Sequence, residues 1–305
     1  MSPSPPLLSV VVASVESART LDEALGALRA STAGMDVEIW VADASSDGSA
    51  RLAAAYGTPV RLIEREPGIL TPVLWADGIR RSTGTYVALT TGHCVVPPGW
   101  ARALVEALSE GAAAAGAGLV PLPTASPLDR AICYLRYAGF LDLTTGPARP
   151  VPELPGDNAA YQGVELRAFA SGRSDGFWEL DYHRMLRARG GSLVAVPGAT
   201  AGFGRSFPLS TILRHRFEHG RHFGAWRVGG GGESAARVVL PAPLVPFALL
   251  ARAGRQAMRR AGHRRAFLGA APAFLALATA WAAGEATGAL AGPERGPERG
   301  PGRAG

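Results

Sequence analysis

The chain has 305 residues, 47% of them hydrophobic, with 31 basic and 25 acidic side chains and a formal net charge of +6. This apolar content suits one large domain with an appendage and excludes a disordered chain. Every basic residue is arginine, and two cysteines, Cys94 and Cys133, exclude a disulfide framework or a cysteine-based zinc site.

The charge is local. Arg237, Arg252, Arg255, Arg259, Arg260, Arg264 and Arg265 lie between Glu233 and Glu285 with no acid among them, so this segment carries +7 and the remainder −1. Nucleic-acid binding calls for basic residues interleaved with aromatics on the folded body. Here the arginines sit beside apolar stretches, which suits an anionic membrane surface and no nucleic acid. The first residues, Met1 to Pro6, lack a positive stretch and a long apolar run, so no signal peptide is expected, and the cysteine usage fits a reducing compartment.

In chain order, Ser9 to Ser14 reads as a strand and Ala18 to Leu25 as a helix. Val37, Ile39, Trp40 and Val41 fit a buried strand that ends in Asp43, followed by the turn and cap residues Ser45-Ser46-Asp47-Gly48-Ser49. Asp43 therefore stands at the carboxyl end of a strand, where open α/β sheets bind ligands; the alternative is that it only caps a helix. A helix over 50–56, a strand over 60–63, a helix over 70–81, a strand over 86–90 and a helix from Trp100 to about Leu108 follow. Such alternation predicts a mainly parallel sheet. A strand is expected around 115–120, residues 128–155 are hard to read, and 177–186 is helical, ended by Gly190-Gly191 before a strand over 192–196. The apolar stretches 240–251 and 266–283 follow. Only the second approaches the length of a bilayer span, and the Gly-Pro-Glu-Arg repeat from 292 reads as disordered.

Asp43 to Ser49, in this strand and helix context, resembles the Asp-x-Ser-x-Asp-Gly-Ser/Thr pattern of the family 2 glycosyltransferases, with residues 7–230 covered by the likeness. The resemblance implies an α/β GT-A fold, a mainly parallel sheet flanked by helices with C-terminal membrane-associated helices added. The expected division is a glycosyltransferase domain over 7–208, a basic helix over 209–232, an apolar, arginine-rich segment over 236–290 and a tail over 291–305. The implied activity is inverting transfer of a sugar from a nucleotide-diphospho-sugar to a glycan or lipid-linked acceptor, at the cytoplasmic side of the membrane. The protein would be peripheral or held by one C-terminal helix. The rival reading is a nucleotide-sugar-binding or scaffold protein that has lost turnover. A nicotinamide-dependent oxidoreductase is excluded, since no Gly-x-Gly-x-x-Gly follows the first strand.

By the same resemblance, Ser14, Glu16, Asp43, Asp47, Thr91, His93, Asn158, Arg205, Arg216 and Arg221 would bind substrate. The base that deprotonates the acceptor would be Glu179 or Asp181, of which only one can point into the cleft. Glu179 is preferred because the apolar neighbours Phe177 and Trp178 would raise its pKa. The family's Asp-x-Asp, which holds Mg2+ or Mn2+, is replaced by Thr91-Gly92-His93-Cys94, and its later histidine ligand is missing from 197–205. These cations prefer carboxylate oxygens, so the cofactor implied by the family loses its ligands, with His93 left either as a ligand or as a structural residue. Guanidinium groups of Arg205, Arg216 and Arg221 would hold the diphosphate instead. His215, His219 and His222 share one helical face, but they span about 10 Å of helix, too far for one zinc ion, and read as a solvated face.

Overall fold

The computed structural model describes residues 4–173, 176–204, 208–229 and 232–292, which form two compact units. Residues up to Asp129 and from Arg136 to Ser206 make the first. In it β1 (Leu8–Ser14) is followed by α1 (Leu21–Ser31), β2 (Val37–Asp43), α2 (Ser49–Ala55), β3 (Val60–Glu64), α3 (Thr71–Arg81) and β4 (Tyr86–Thr91). Strand β1 is buried along its whole length, as expected for a central strand of a sheet covered on both faces. On α1 the buried positions Leu21, Ala24, Leu25 and Leu28 recur at helical spacing and face the core.

The chain then passes through β5 (Cys94–Val95), α4 (Trp100–Ser109), β6 (Ala114–Gly116) and β7 (Leu119–Pro121). The single strand expected over 115–120 is thus two, and they belong to different sheets. The break falls at Ala117-Gly118, where a side chain on Gly118 would meet the Phe140 carbonyl oxygen at 2.4 Å. Next come α5 (Pro127–Tyr137), β8 (Arg149–Val151), β9 (Ala159–Gln162), α6 (Gly163–Ser171), α7 (Glu179–Ala188), β10 (Leu193–Ala195) and β11 (Ala201–Phe203). Residues 130–135 of α5 group with the second unit.

The main sheet has eight strands in the order β3-β2-β1-β4-β9-β6-β10-β8. Its first four strands are parallel, β9 runs against both β4 and β6, and β6 and β10 are again parallel. This is the mostly parallel α/β sheet flanked by helices that alternation implied. A small sheet, β5-β11-β7, lies beyond the ends of β4 and β6 in the chain. Ser14 is in register with Asp43, and Ala13 with Thr91, so the carboxyl ends of β1, β2 and β4 share one edge.

The second unit holds α8 (Leu209–Gly229), α9 (Ala235–Val239), α10 (Val245–Met258) and α11 (Ala261–Ala291). Helices α8 and α11 touch backbone to backbone. A Cβ on Gly220, Gly224, Gly284 or Gly288 would fall about 2 Å from a carbonyl oxygen of the facing helix. Within the pair, Arg227 Nη1 donates to the buried Glu285 at 2.6 Å, and its other nitrogens to Glu233. Phe267 packs on Tyr134 and Phe274.

Helix α3 lies so close to β1 that a Cβ on Gly78 would stand 2.2 Å from Val11 Cγ1. Gly78→Ala gains roughly 1 kcal/mol of helix propensity but overpacks the core at a cost of about 1–3 kcal/mol. The variant is therefore expected to be less stable in urea denaturation, and adding Val11→Ala should recover part of the loss.

Candidate active site

Two groups of side chains meet the edge formed by the ends of β1, β2 and β4. In the first, Asp43 is buried at 1% exposure and accepts hydrogen bonds from the Ser14 hydroxyl, from Ser45 N at 3.0 Å and from Ser45 Oγ at 2.8 Å. Ser45 Oγ in turn accepts from Glu16 N at 2.8 Å, and the Glu16 carboxylate accepts from Ser46 N and Oγ at 2.8 and 3.0 Å. Glu16 sits at φ +49, a left-handed conformation that these bonds hold. Asp47 accepts from Ala18 N at 2.9 Å and from Ser49 N and Oγ at 3.1 and 2.5 Å. Burial raises the Asp47 pKa, but the bonds from Ser49 and Ala18 outweigh it and hold the carboxyl below its ordinary value. The β1–α1 and β2–α2 loops are thus laced together by polar groups.

His93 closes this group from β4's side. It is 5% exposed, with Nε2 3.1 Å from the Val15 carbonyl oxygen and Nδ1 3.1 Å from Thr20 Oγ1. A carbonyl only accepts, so Nε2 carries a proton there and has no lone pair for a metal. Thr91 is buried, its hydroxyl 3.3 Å from Cys94 Sγ. Among the described residues no group of three or more His, Cys, Asp or Glu side chains is arranged to hold a metal ion. The residues at 91–94 do not fit Mg2+ or Mn2+, which want several carboxylate or carbonyl oxygens.

The second group surrounds the start of α7. Glu179 is the first residue of that helix, and its carboxyl carbon lies 3.0 Å from where a Cβ on Gly156 would stand. A side chain at 156 would crowd it, and Glu179 would have to give by a few tenths of an ångström. Burial raises the Glu179 pKa and the charge of Asp157 raises it further; its own backbone N–H, His183 and Arg136 oppose without cancelling the shift. Arg136 Nη2 donates to both oxygens of Asp157, at 3.0 and 3.2 Å. Cys94 joins the two groups, its thiol pushed up to about 11 by burial and then by the charge of Asp157. One turn along α7, the fully buried His183 bonds Glu153 through Nδ1 and the Tyr161 hydroxyl through Nε2 at 2.9 Å, fixing the helix that carries Glu179.

The other expected residues lie elsewhere. Asp181 turns outward, half exposed, between Arg173 at 3.3 Å and Arg184 at 3.5 Å. Asn158 is fully buried: its Nδ2 donates to the carbonyls of Ala117, Gly118 and Ala199, and its Oδ1 accepts from Trp100 Nε1 at 2.7 Å. Its amide is engaged in holding β6, β9 and α4 together rather than facing an open cleft. Arg216 and Arg221 are on α8 in the second unit, Arg221 bonded to Glu218 at 2.9 Å. Arg205 lies outside the described residues. His215, His219 and His222 are exposed on α8.

Arg136, Asp157 and the Glu153–His183–Tyr161 set were not singled out from sequence. A signal for Arg136's helix exists in Ser126-Pro127-Leu128-Asp129. Ser126 N and Oγ donate to Asp129 Oδ2 at 3.0 and 2.6 Å while Asp129 N donates to Ser126 Oγ at 3.1 Å, a reciprocal cap that starts α5.

The sequence comparisons agree with this geometry. Residues 9–130 match the model of Glycosyl transferase family 2, which takes in β1 to the start of α5 and the whole first group. Residues 9–130 thus mark a family 2 glycosyltransferase domain, a family that implies a nucleotide-sugar donor and a glycan acceptor. No curated protein matches the chain.

Asn158→Ala leaves the Trp100 N–H and several carbonyls unpaired in the core. It is expected to destabilise the fold by on the order of 3 kcal/mol in chemical denaturation. Asn158→Asp, which cannot donate to the three carbonyls, should do no better.

Proposed function

We propose that the chain is an inverting glycosyltransferase with Glu179 as its base, acting on a lipid-linked or polysaccharide acceptor at a membrane surface. The observation that carries the reading is the Glu179 carboxyl, held against Gly156 just before the stretch of β9 that pairs with β4, with its pKa raised by burial. In the proposed step the acceptor hydroxyl oxygen bonds the anomeric carbon of the donor sugar and gives its proton to Glu179. The bond from that carbon to the diphosphate oxygen breaks, and its electron pair leaves with the diphosphate. Ser14, Glu16, Asp43 and Asp47 shape the loops that receive the nucleotide, and the backbone they order is the surface left for donor recognition.

A second reading has its own observation. Asp43, His93 and Asn158 are engaged by bonds within the chain, which suits a domain that binds a nucleotide-sugar without turning it over. Turnover across a panel of nucleotide-sugars decides between the two. The transferase reading expects Glu179→Gln to lower kcat by about 100-fold or more with donor affinity retained. The wild-type kcat/KM should rise with pH through a pKa above the ordinary carboxylate range. Because the folded pKa exceeds the unfolded one, ionising Glu179 costs stability as pH rises from about 4.5 through the folded value. Glu179→Gln should therefore be at least as stable as wild type at neutral pH, and the difference should vanish in acid. Binding without turnover for every donor favours the second reading.

Membrane action rests on the second unit. Helix α11 is long and apolar enough to cross a bilayer by length and composition. Leu240, Leu244 and Phe247 are 78%, 68% and 61% exposed, in the same unit as the arginine cluster. Such a surface suits the headgroup boundary of an anionic bilayer. The full chain is expected to co-sediment with phosphatidylglycerol vesicles. The triple variant Leu240→Ser, Leu244→Ser, Phe247→Ser should stay in the supernatant; equal partition of the two would overturn the membrane reading.

A further inference from the structure

Departure of a diphosphate leaves negative charge that something must meet. In this chain the residues after β4 are the wrong ones to hold a divalent cation, and the arginines expected from sequence are either in the second unit or outside the described residues. Arg136 is a cation within the first unit, a third exposed, beside the proposed base. Its bond to Asp157 uses only Nη2, which serves both carboxylate oxygens. Among the described residues the N–H groups of Nε and Nη1 have no hydrogen-bond partner within the protein, and the side chain is open to solvent.

The surroundings fix its position. The guanidinium carbon sits 4.9 Å from the centre of the Tyr137 ring, a cation–π contact, while Asp157 grips the other side. Asp157 follows Gly156, the residue that Glu179 covers, so the base and the guanidinium are anchored to adjacent backbone positions. Tyr137 is 3% exposed, and its hydroxyl lies close to the Asp157 carboxylate and to Cys94.

We propose that Arg136 is an anion site for the diphosphate of the donor. This deepens the glycosyltransferase reading and rests on it. The free N–H groups of the guanidinium meet the phosphate oxygens that take the departing electron pair, and Asp157 aims the group and sets its plane. Arginine suits the task because it stays charged under all conditions and offers several donors in one plane. Charge stabilisation placed in advance acts where the charge develops and needs no reorganisation during the reaction. The site needs one adjustment, since Asp157 also repels an incoming anion. That repulsion weakens binding of the released diphosphate and favours its departure.

Calorimetric titration of the full chain with nucleoside diphosphates of the five common bases, their parent nucleosides and inorganic pyrophosphate tests the proposal. Wild type is expected to bind one diphosphate at least tenfold more tightly than its nucleoside. Arg136→Gln should lose that preference by tenfold or more and keep nucleoside affinity, with Arg136→Lys falling between. Asp157→Asn, which releases the guanidinium and removes the repulsion, should tighten pyrophosphate binding. A folded Arg136→Gln with the full preference for diphosphate overturns the proposal. Should that variant fail to show a cooperative melting transition, unchanged affinities in both Arg136→Lys and Asp157→Asn overturn it instead. A wild-type chain that binds none of the diphosphates removes the nucleotide-sugar reading itself, an outcome distinct from a wild type that binds and a variant that binds equally well.

Discussion

The hydrogen bond from Ser14 to Asp43 joins the last residues of two adjacent parallel strands, and the edge of the sheet depends on it. A carboxylate withdrawn from water costs several kcal/mol unless donors replace the lost hydration. Asp43 has three, from Ser14, Ser45 N and Ser45 Oγ, and in satisfying them it fixes the turn after β2. Ser45 then accepts from Glu16, whose left-handed backbone is a strain of order 1–3 kcal/mol that this lacing offsets. In the proposed function the recognition surface is backbone held in place by acids, rather than acids presented to solvent.

That distinction marks the limit of sequence reading here. The parallel half of the fold was legible because each strand and helix carries its own period: Val10, Val11 and Val12 in a fully buried strand, Leu21, Leu25 and Leu28 along one helical face. The motif at 43–49 falls in the β2–α2 loop, inside the family match. Whether an acid faces a ligand or its own chain depends on tertiary donors such as Ser14 and Ala18, which lie about thirty residues away. Residues 128–155 were hard to read because α5 is divided between two units and β8 spans only three residues, too few for a period to emerge. Helix α6 follows β9 without a break, so its start has no turn residues except Gly163, where any Cβ would strike the Gly84 carbonyl oxygen at 2.4 Å.

Two carboxylates show how the same group is set to different work. Asp47 stays partly solvated and collects donors from Ser49 and Ala18, so its charged form is favoured. Glu179 is withdrawn from water beside another acid, so its neutral form is favoured. Environments that push like groups apart are how one fold obtains both a fixed anion and a proton acceptor poised nearer neutrality. The separation follows from position alone: Asp47 caps the start of a helix at the surface, and Glu179 begins one over a glycine.

Residues 91–94 and the ion pair at 136–157 belong to one electrostatic account. A pair of carboxylates after β4 would need a metal to be tolerated beside Asp157 and Glu179, since four acids in one place repel strongly. With Thr91 and His93 in those positions the local acids are Asp157 and Glu179, and one guanidinium partly balances them. His93 turns inward and its place in the charge balance is taken by hydrogen bonds to Val15 and Thr20. Cys94, buried and kept as a neutral thiol, adds no charge to the sum. The neutral side chains at 91–94 and the arginine beside Asp157 suit one another electrostatically, and a variant placing acids at 91 and 93 would have to find a cation to accompany them.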